Sequence, residues 1–262
     1  MRPEKDTVSV DGLQLRLLAT GTPTLAESQS AIVLVHGIGM SHRSFRDLQN
    51  KLGHLRARES ASPDSPAIIA IDLPGFGGAQ PAGRQLRPDG FAELLVTALR
   101  SAGITSATIV GQSMGTQVAV EAAITAPDLV NGIVLVGPVV DERKRSALVL
   151  LLALMVDCLY ERPRMNVVVF SDYVRSLRQY MRELRPMIDY PILSRLALVR
   201  QRVEVVRGMH DRVANASWAR RVAAAAQDGR LAEFHGPHHV QEHDPVGVAM
   251  LILDVATART PR

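Results

Sequence analysis

The apolar positions of this chain follow two rhythms. Short runs rich in β-branched residues occupy 31–35, 67–71, 107–110, 131–136 and 203–206. Consecutive rather than alternating apolar residues predict strands covered on both faces, as in a parallel sheet. Between these runs lie stretches with helical spacing: 44–58, where Phe45, Leu48, Leu52 and Leu55 share one face, then 91–102, 116–126, 216–226 and 246–256. A last strand is predicted over 231–234. Near the start, 7–10 and 13–18 alternate in polarity around Asp11-Gly12, a dipeptide that suits the tight turn of a hairpin. The polar stretches 21–30 and 60–66 are predicted loops. A hairpin followed by repeated strand–helix units predicts an α/β fold, with a mostly parallel central sheet and helices on both faces. Crossovers should be right-handed, and ligands should gather at the C-terminal ends of the strands.

That rhythm breaks over 139–198. The region holds one strand pattern, 167–170, an apolar helix pattern over 146–160 and a charged one over 173–184. The predicted organisation is a core domain built from 1–138 and 199–262, interrupted by a helical lid over 139–198. The first lid helix is apolar nearly all round, which predicts cover on more than one side. A dimer contact or a membrane-surface patch is the rival reading of that helix.

One strand–helix junction stands out. The strand pattern 107–110 runs into Gly111-Gln112-Ser113-Met114-Gly115, and a helix pattern rich in Ala and Val follows. A G-x-S-x-G stretch at such a junction makes a sharp turn that lifts its central serine clear of the sheet. The first amides of the helix then face any negative charge formed there. An incidental serine in a Gly-rich turn is the plain alternative. Two other strand ends carry matching chemistry: Asp211 after 203–206, and His238 after 231–234. A serine hydroxyl is a weak nucleophile at neutral pH and needs a base in reach, itself held by an acid.

Composition narrows the function. The chain has 262 residues, enough for a large core, and its single cysteine, Cys158, permits no internal disulfide. The net charge is +4, carried mainly by scattered arginines without interleaved aromatics, which argues against nucleic-acid binding. Positions 1–18 carry Glu4, Lys5, Asp6 and Asp11 and lack an apolar core, so no signal peptide is expected. The apolar run 147–156 is too short to cross a bilayer. These features predict a cytoplasmic protein without stable membrane insertion. His235, His238, His239 and His243 cluster, but no metal-binding spacing such as H-E-x-x-H accompanies them, so neither a metal nor a cofactor is expected.

Taken together, His36-Gly37, the run from Asp72 to Gly77, Gly111 to Gly115, Gly208-Met209-His210-Asp211, and Pro237-His238 with Pro245 resemble the α/β-hydrolase superfamily over almost the whole chain. The resemblance implies a catalytic triad of Ser113, Asp211 and His238, the histidine being the one seven residues before a proline. It also implies an oxyanion hole made by the backbone amides of Ile38 and Met114, and a structural role for His36 in the oxyanion loop. Asp141 is an alternative acid and His239 an alternative base. Cys158 and Trp218 are expected to be packing residues. The loop after Asp72 ends in Gly77-Gly78, where many relatives carry a serine.

The implied activity is a serine hydrolase cleaving a carboxylic ester or thioester, with a hydrophobic group recognised by the lid. A serine nucleophile disfavours dehalogenase and epoxide hydrolase chemistry, which in this superfamily uses an aspartate. Acyl transfer and carbon–carbon bond hydrolysis on the same triad are alternatives, although the second often goes with a Trp where this chain has His239. A non-catalytic ligand-binding protein is a further alternative. If the His238 pKa is ordinary, activity should fall below about pH 6.5.

Overall fold

A computed structural model of the chain describes residues 4–20, 25–59 and 65–258. Parts of both predicted loops, 21–24 and 60–64, lie outside the described residues. The chain opens with the hairpin β1 (Glu4–Val10) and β2 (Leu13–Thr20), whose turn residues Asp11 and Gly12 have φ of 50° and 76°. Then follow β3 (Ser30–Val35), α1 (Arg46–Glu59), β4 (Ala67–Asp72), α2 (Pro88–Ser101), β5 (Ser106–Gln112), α3 (Gly115–Thr125) and β6 (Val130–Val136). The lid region contributes α4 (Ala147–Asp157), α5 (Pro163–Asp189) and the short α6 (Ile192–Leu196). The core resumes with β7 (Arg202–Gly208), α7 (Ala216–Ala225), β8 (Gly229–Phe234), the short α8 (Val240–His243) and α9 (Pro245–Thr257).

Among the described residues the strands form one eight-stranded sheet in the order β1-β2-β4-β3-β5-β6-β7-β8. The pairs β1·β2 and β2·β4 are antiparallel and the remainder parallel. Side chains that alternate along each strand feed two separate apolar layers. Val33, Ile69 and Ile109 pack with Phe91, Val118 and Trp218 of α2, α3 and α7. Ile32, Ile68 and Val110 pack with Leu48, Leu52, Val248 and Ile252 of α1 and α9. A sheet covered on both faces is what consecutive apolar positions require. Trp218 is fully buried, and its indole N–H donates to the Pro138 carbonyl at 2.8 Å.

The lid region departs from expectation twice. The strand predicted over 167–170 lies inside α5, a helix of 27 residues. Its β-branched run is read in helical period: Val168 is buried, whereas Val167 and Phe170 are exposed. The helix predicted over 146–160 forms as α4, capped by Ser146, but it is not covered on more than one side. Leu150 and Asp157 are its buried residues, while Leu148, Leu152 and Met155 are exposed. Its C-terminal end is the part tied to the core, as the next section describes.

Candidate active site

The junction of β5 and α3 has the geometry anticipated for it. Ser113 has φ of 55°, a left-handed conformation that bulky residues rarely adopt. Its amide donates to the Val136 carbonyl at 2.9 Å, and its own carbonyl accepts from the Thr116 amide and hydroxyl at 3.1 and 2.6 Å. Glycine is required on either side. A β-carbon at Gly111 would lie 2.1 Å from the Gly115 carbonyl oxygen, and one at Gly115 would lie 2.2 Å from that of Val35. The spacing of small residues in the sequence is thus a packing requirement of the turn.

Asp211 and His238 arrive from neighbouring strands. Asp211 follows β7, and its Oδ1 accepts the amides of Val213 and Ala214 at 2.7 Å each. Its Oδ2 lies 3.0 Å from Nδ1 of His238, and both side chains are buried. Burial alone would raise the Asp211 pKa; the His238 charge and these hydrogen bonds outweigh it and lower it below the usual carboxylate value. Burial alone would lower the His238 pKa. The Asp211 charge and hydrogen bond, with help from Asp157 and Glu161, push it instead up to about 9. The ordinary histidine value assumed from sequence therefore does not hold.

Nε2 of His238 is buried and has no hydrogen-bond partner among the described residues. His238 and Ser113 both line one cavity of about 170 Å³. No hydrogen bond joins the Ser113 hydroxyl to the ring in this conformation. The Gly37–Ile38 backbone borders the same space, so close to the serine that a β-carbon on Gly37 would lie 2.9 Å from Cβ of Ser113. Neither the Ile38 nor the Met114 amide donates a hydrogen bond to any described residue. His36 holds this loop from behind. Its Nε2 accepts the Leu73 amide at 3.1 Å, which leaves Nδ1 to donate to the Gly37 carbonyl at 2.8 Å. Burial lowers the His36 pKa, in keeping with a neutral ring.

The alternatives weighed from sequence are engaged elsewhere. Asp141 accepts the Arg143 amide and pairs with Arg221 at 3.1 Å. His239 gives both its amide and Nδ1 to Glu161, at 3.0 and 2.8 Å. His235 packs edge-on against His210. Cys158 is half-buried in the cavity wall. Burial raises its pKa, as do Asp157 and Glu161, so the thiol stays protonated.

Three residues at this site escaped sequence reasoning. Gln112, next to the serine, lines the cavity with both ends of its buried amide unpartnered among the described residues. Asp157 and Glu161 descend from the lid to the loop that carries His238. Asp157 accepts the His238 amide at 3.0 Å. Glu161 accepts from His239 as above and lies 3.1 Å from Nε2 of His243. Burial pushes Asp157 up to about 6, a rise the His238 charge tempers. In Glu161 burial is outweighed by the His239 and His243 contacts, which bring it down to about 2. Tyr160 stacks on His210 at 6.4 Å, beside Asp211 in sequence. No local sequence pattern marks Asp157 or Glu161, because their partners lie about eighty residues further along the chain.

Asp157, Glu161 and His239 each offer one ligand atom within 4.8 Å of the others. The carboxylates that local spacing did not provide for the histidine cluster thus come from the lid. Their oxygens, however, already accept N–H donors of residues 238, 239 and 243. The set is satisfied as a hydrogen-bonded clamp between lid and core. The rest of the cavity wall is apolar, with Ile38, Met40, Leu151, Leu154 and Met155 joined by Tyr173 and Tyr180.

Comparison with known proteins bears on the fold. A family model described as alpha/beta hydrolase fold matches residues 30–157. The chain is 33% identical over 132 residues to the dihydrolipoyllysine-residue acetyltransferase component of the acetoin cleaving system of Cupriavidus necator, covering 50% of this chain and 31% of that one. It is 32% identical over 108 residues to an uncharacterized hydrolase of Bacillus subtilis, covering 41% and 36%. The chain thus matches about a third of the length of each of these curated relatives. The structure superposes on a thermophilic esterase from Thermogutta terrifontis with a TM-score of 0.75 at 18% identity, covering 98% of this chain and 100% of that one. The family model thus covers just under half of the chain, and the superposition shows that nearly all of it has the α/β-hydrolase fold.

Proposed function

We propose that the chain is a serine hydrolase that cleaves a carboxylic ester or thioester through an acyl-enzyme. The observation that carries this reading is a buried His238 whose Nδ1 is held by Asp211 at 3.0 Å, whose Nε2 has no partner among the described residues, and which lines the same cavity as Ser113. Ser113 attacks the acyl carbon and passes its proton to Nε2 of His238. Asp211 fixes the ring and stabilises the imidazolium. The amides of Ile38 and Met114 receive the oxyanion, an interaction typically worth about 3–4 kcal/mol of barrier per donor. His238 then protonates the leaving group, activates water and regenerates the serine. A hydroxyl–imidazole contact that is absent in the resting enzyme and forms with substrate is compatible with this role.

The apolar wall formed by Leu151, Leu154, Met40 and the two tyrosines suits a hydrophobic acyl or alcohol group, and the Gln112 amide supplies one polar contact for it. Asp157 and Glu161 act as positioning residues that fix the backbone of the base. A panel of nitrophenyl esters and acyl thioesters of graded chain length tests the reading. Turnover of medium-length acyl groups is expected, falling roughly 10⁴- to 10⁶-fold in Ser113→Ala. Equal turnover in that variant, or preference for charged or very small acids alone, contradicts it.

A further inference from the structure

The lid carries its amphipathic pattern the wrong way out. Met165, Val168, Met187 and Ile188 are buried toward the two ends of α5, but through its middle the inward face is polar: Asp172, Ser176, Gln179 and Glu183 are buried. They are satisfied by the core. Asp172 accepts the Ser41 hydroxyl and pairs with Arg43, while Glu183 accepts the Leu86 amide. The outward face is apolar. Val167, Phe170, Val174, Leu177 and Met181 follow a three–four spacing, and Phe170 is 74% exposed. On the outer side of α4, Leu148, Leu152 and Met155 are exposed, and Leu159 just beyond its end is 81% exposed. Monomeric proteins rarely leave a contiguous apolar face of this kind uncovered.

Charge indicates what covers it. The acids within these segments, Asp157, Glu161, Asp172 and Glu183, all point inward and are buried. The charges left outward on α5 are arginines, apart from Asp189 in its last turn. At about 100° per residue, Arg178 and Arg185 flank the apolar stripe on one side. Tyr173 and Tyr180, which line the cavity, flank it on the other. Leu151 and Met155 of α4 are at once exposed and part of the cavity wall, so the apolar surface runs into the cavity itself. A second copy of the chain would bring further arginines to this seam and no exposed acid except Asp189, already bound to Arg185 at 2.6 Å. A bilayer with anionic headgroups satisfies both features. Apolar side chains enter the interface, and arginines meet the negative surface. No helix among the described residues is long and apolar enough to cross a membrane, so attachment is peripheral.

We propose that the outer face of α4 and α5 docks onto an anionic lipid bilayer, with the rim of the cavity turned toward it. The docking is independent of the hydrolytic chemistry. Only the corollary, that a hydrophobic substrate enters from the lipid phase, rests on the proposed activity. Vesicle flotation of the full chain tests docking without any turnover. The probes are phosphatidylcholine vesicles with and without about one-third phosphatidylglycerol. Binding is expected to the anionic vesicles, to weaken with salt, and to fall at least tenfold in Arg178→Glu/Arg185→Glu, since each basic residue near such a surface is worth roughly fivefold. Phe170→Asp/Leu177→Asp should abolish it while leaving the thermal melt unchanged. If that pair fails to fold, the arginine pair and the salt series still decide. Absence of binding to either vesicle overturns the proposal, as does binding that ignores salt and both variants. Light scattering that reveals a dimer dispersed by Phe170→Asp/Leu177→Asp also overturns it, in favour of a self-association surface.

Discussion

The central sheet and the lid use similar residues to opposite ends. In β3 and β4, neighbouring apolar side chains are divided between two packed layers, and both faces disappear from solvent. In the middle of α5, Asp172, Ser176, Gln179 and Glu183 face inward while Phe170, Val174, Leu177 and Met181 face out. The sheet is held by apolar burial, worth roughly 25 cal/mol per Å². The middle of α5 and the end of α4 add polar contacts to specific partners, such as Asp172 to Arg43, Glu183 to Leu86 and Asp157 to the His238 amide, beside apolar packing of Met165 and Val168 with Met40. Polar burial of this kind stabilises little in net terms but is costly to break.

The largest effects should come from the site where the two regions meet. His238→Ala is expected to lower kcat roughly 10⁴- to 10⁶-fold, and Asp211→Asn about 10⁴-fold, with little change in KM. A loss confined to KM would place those residues in binding rather than in chemistry.

Next in size is the contrast in stability. Ile109 is fully buried in the sheet, and Ile109→Ala should cost about 2–5 kcal/mol in denaturant unfolding. Leu159 is equally apolar but 81% exposed, so Leu159→Ala should stay within about 0.5 kcal/mol. Similar losses at both positions would mean that the lid packs as the sheet does, and the comparison would fail.

The smallest effect is the most specific. With the His238 pKa pushed up to about 9, the acid limb of kcat/KM should lie on the alkaline side of neutrality, not near pH 6.5. The Asp157 charge contributes to that rise. Asp157→Asn keeps an acceptor for the His238 amide but loses the charge, so it should move the limb to lower pH with kcat at the plateau preserved. Asp157→Ala also loses the acceptor and should lower the plateau itself. An unmoved limb in Asp157→Asn would show that the lid does not sense the base.

The same contrast explains what could be read in advance. The strands were legible because residues such as 31–35 and 67–71 are apolar at every position, which few other environments permit. The serine turn was legible because Gly111 and Gly115 are fixed by contacts within a few residues of Ser113 or across one strand. The placement of Asp211 and His238 needed family resemblance, since nothing local marks them. The lid was misread where periodicity was ambiguous, as at 167–170, and where an apolar helix was assumed to be a covered one. Asp157 and Glu161 were missed because their partners are backbone amides about eighty residues away, and no local pattern announces such a contact. Gln112 was missed for the opposite reason: its amide has no partner among the described residues.

The direct test of the central claim is mapping the adduct formed with a fluorophosphonate probe by peptide mass spectrometry. The account predicts one adduct on Ser113, absent in Ser113→Ala and strongly slowed in His238→Ala. Labelling at another residue, or none in a folded sample, would contradict it.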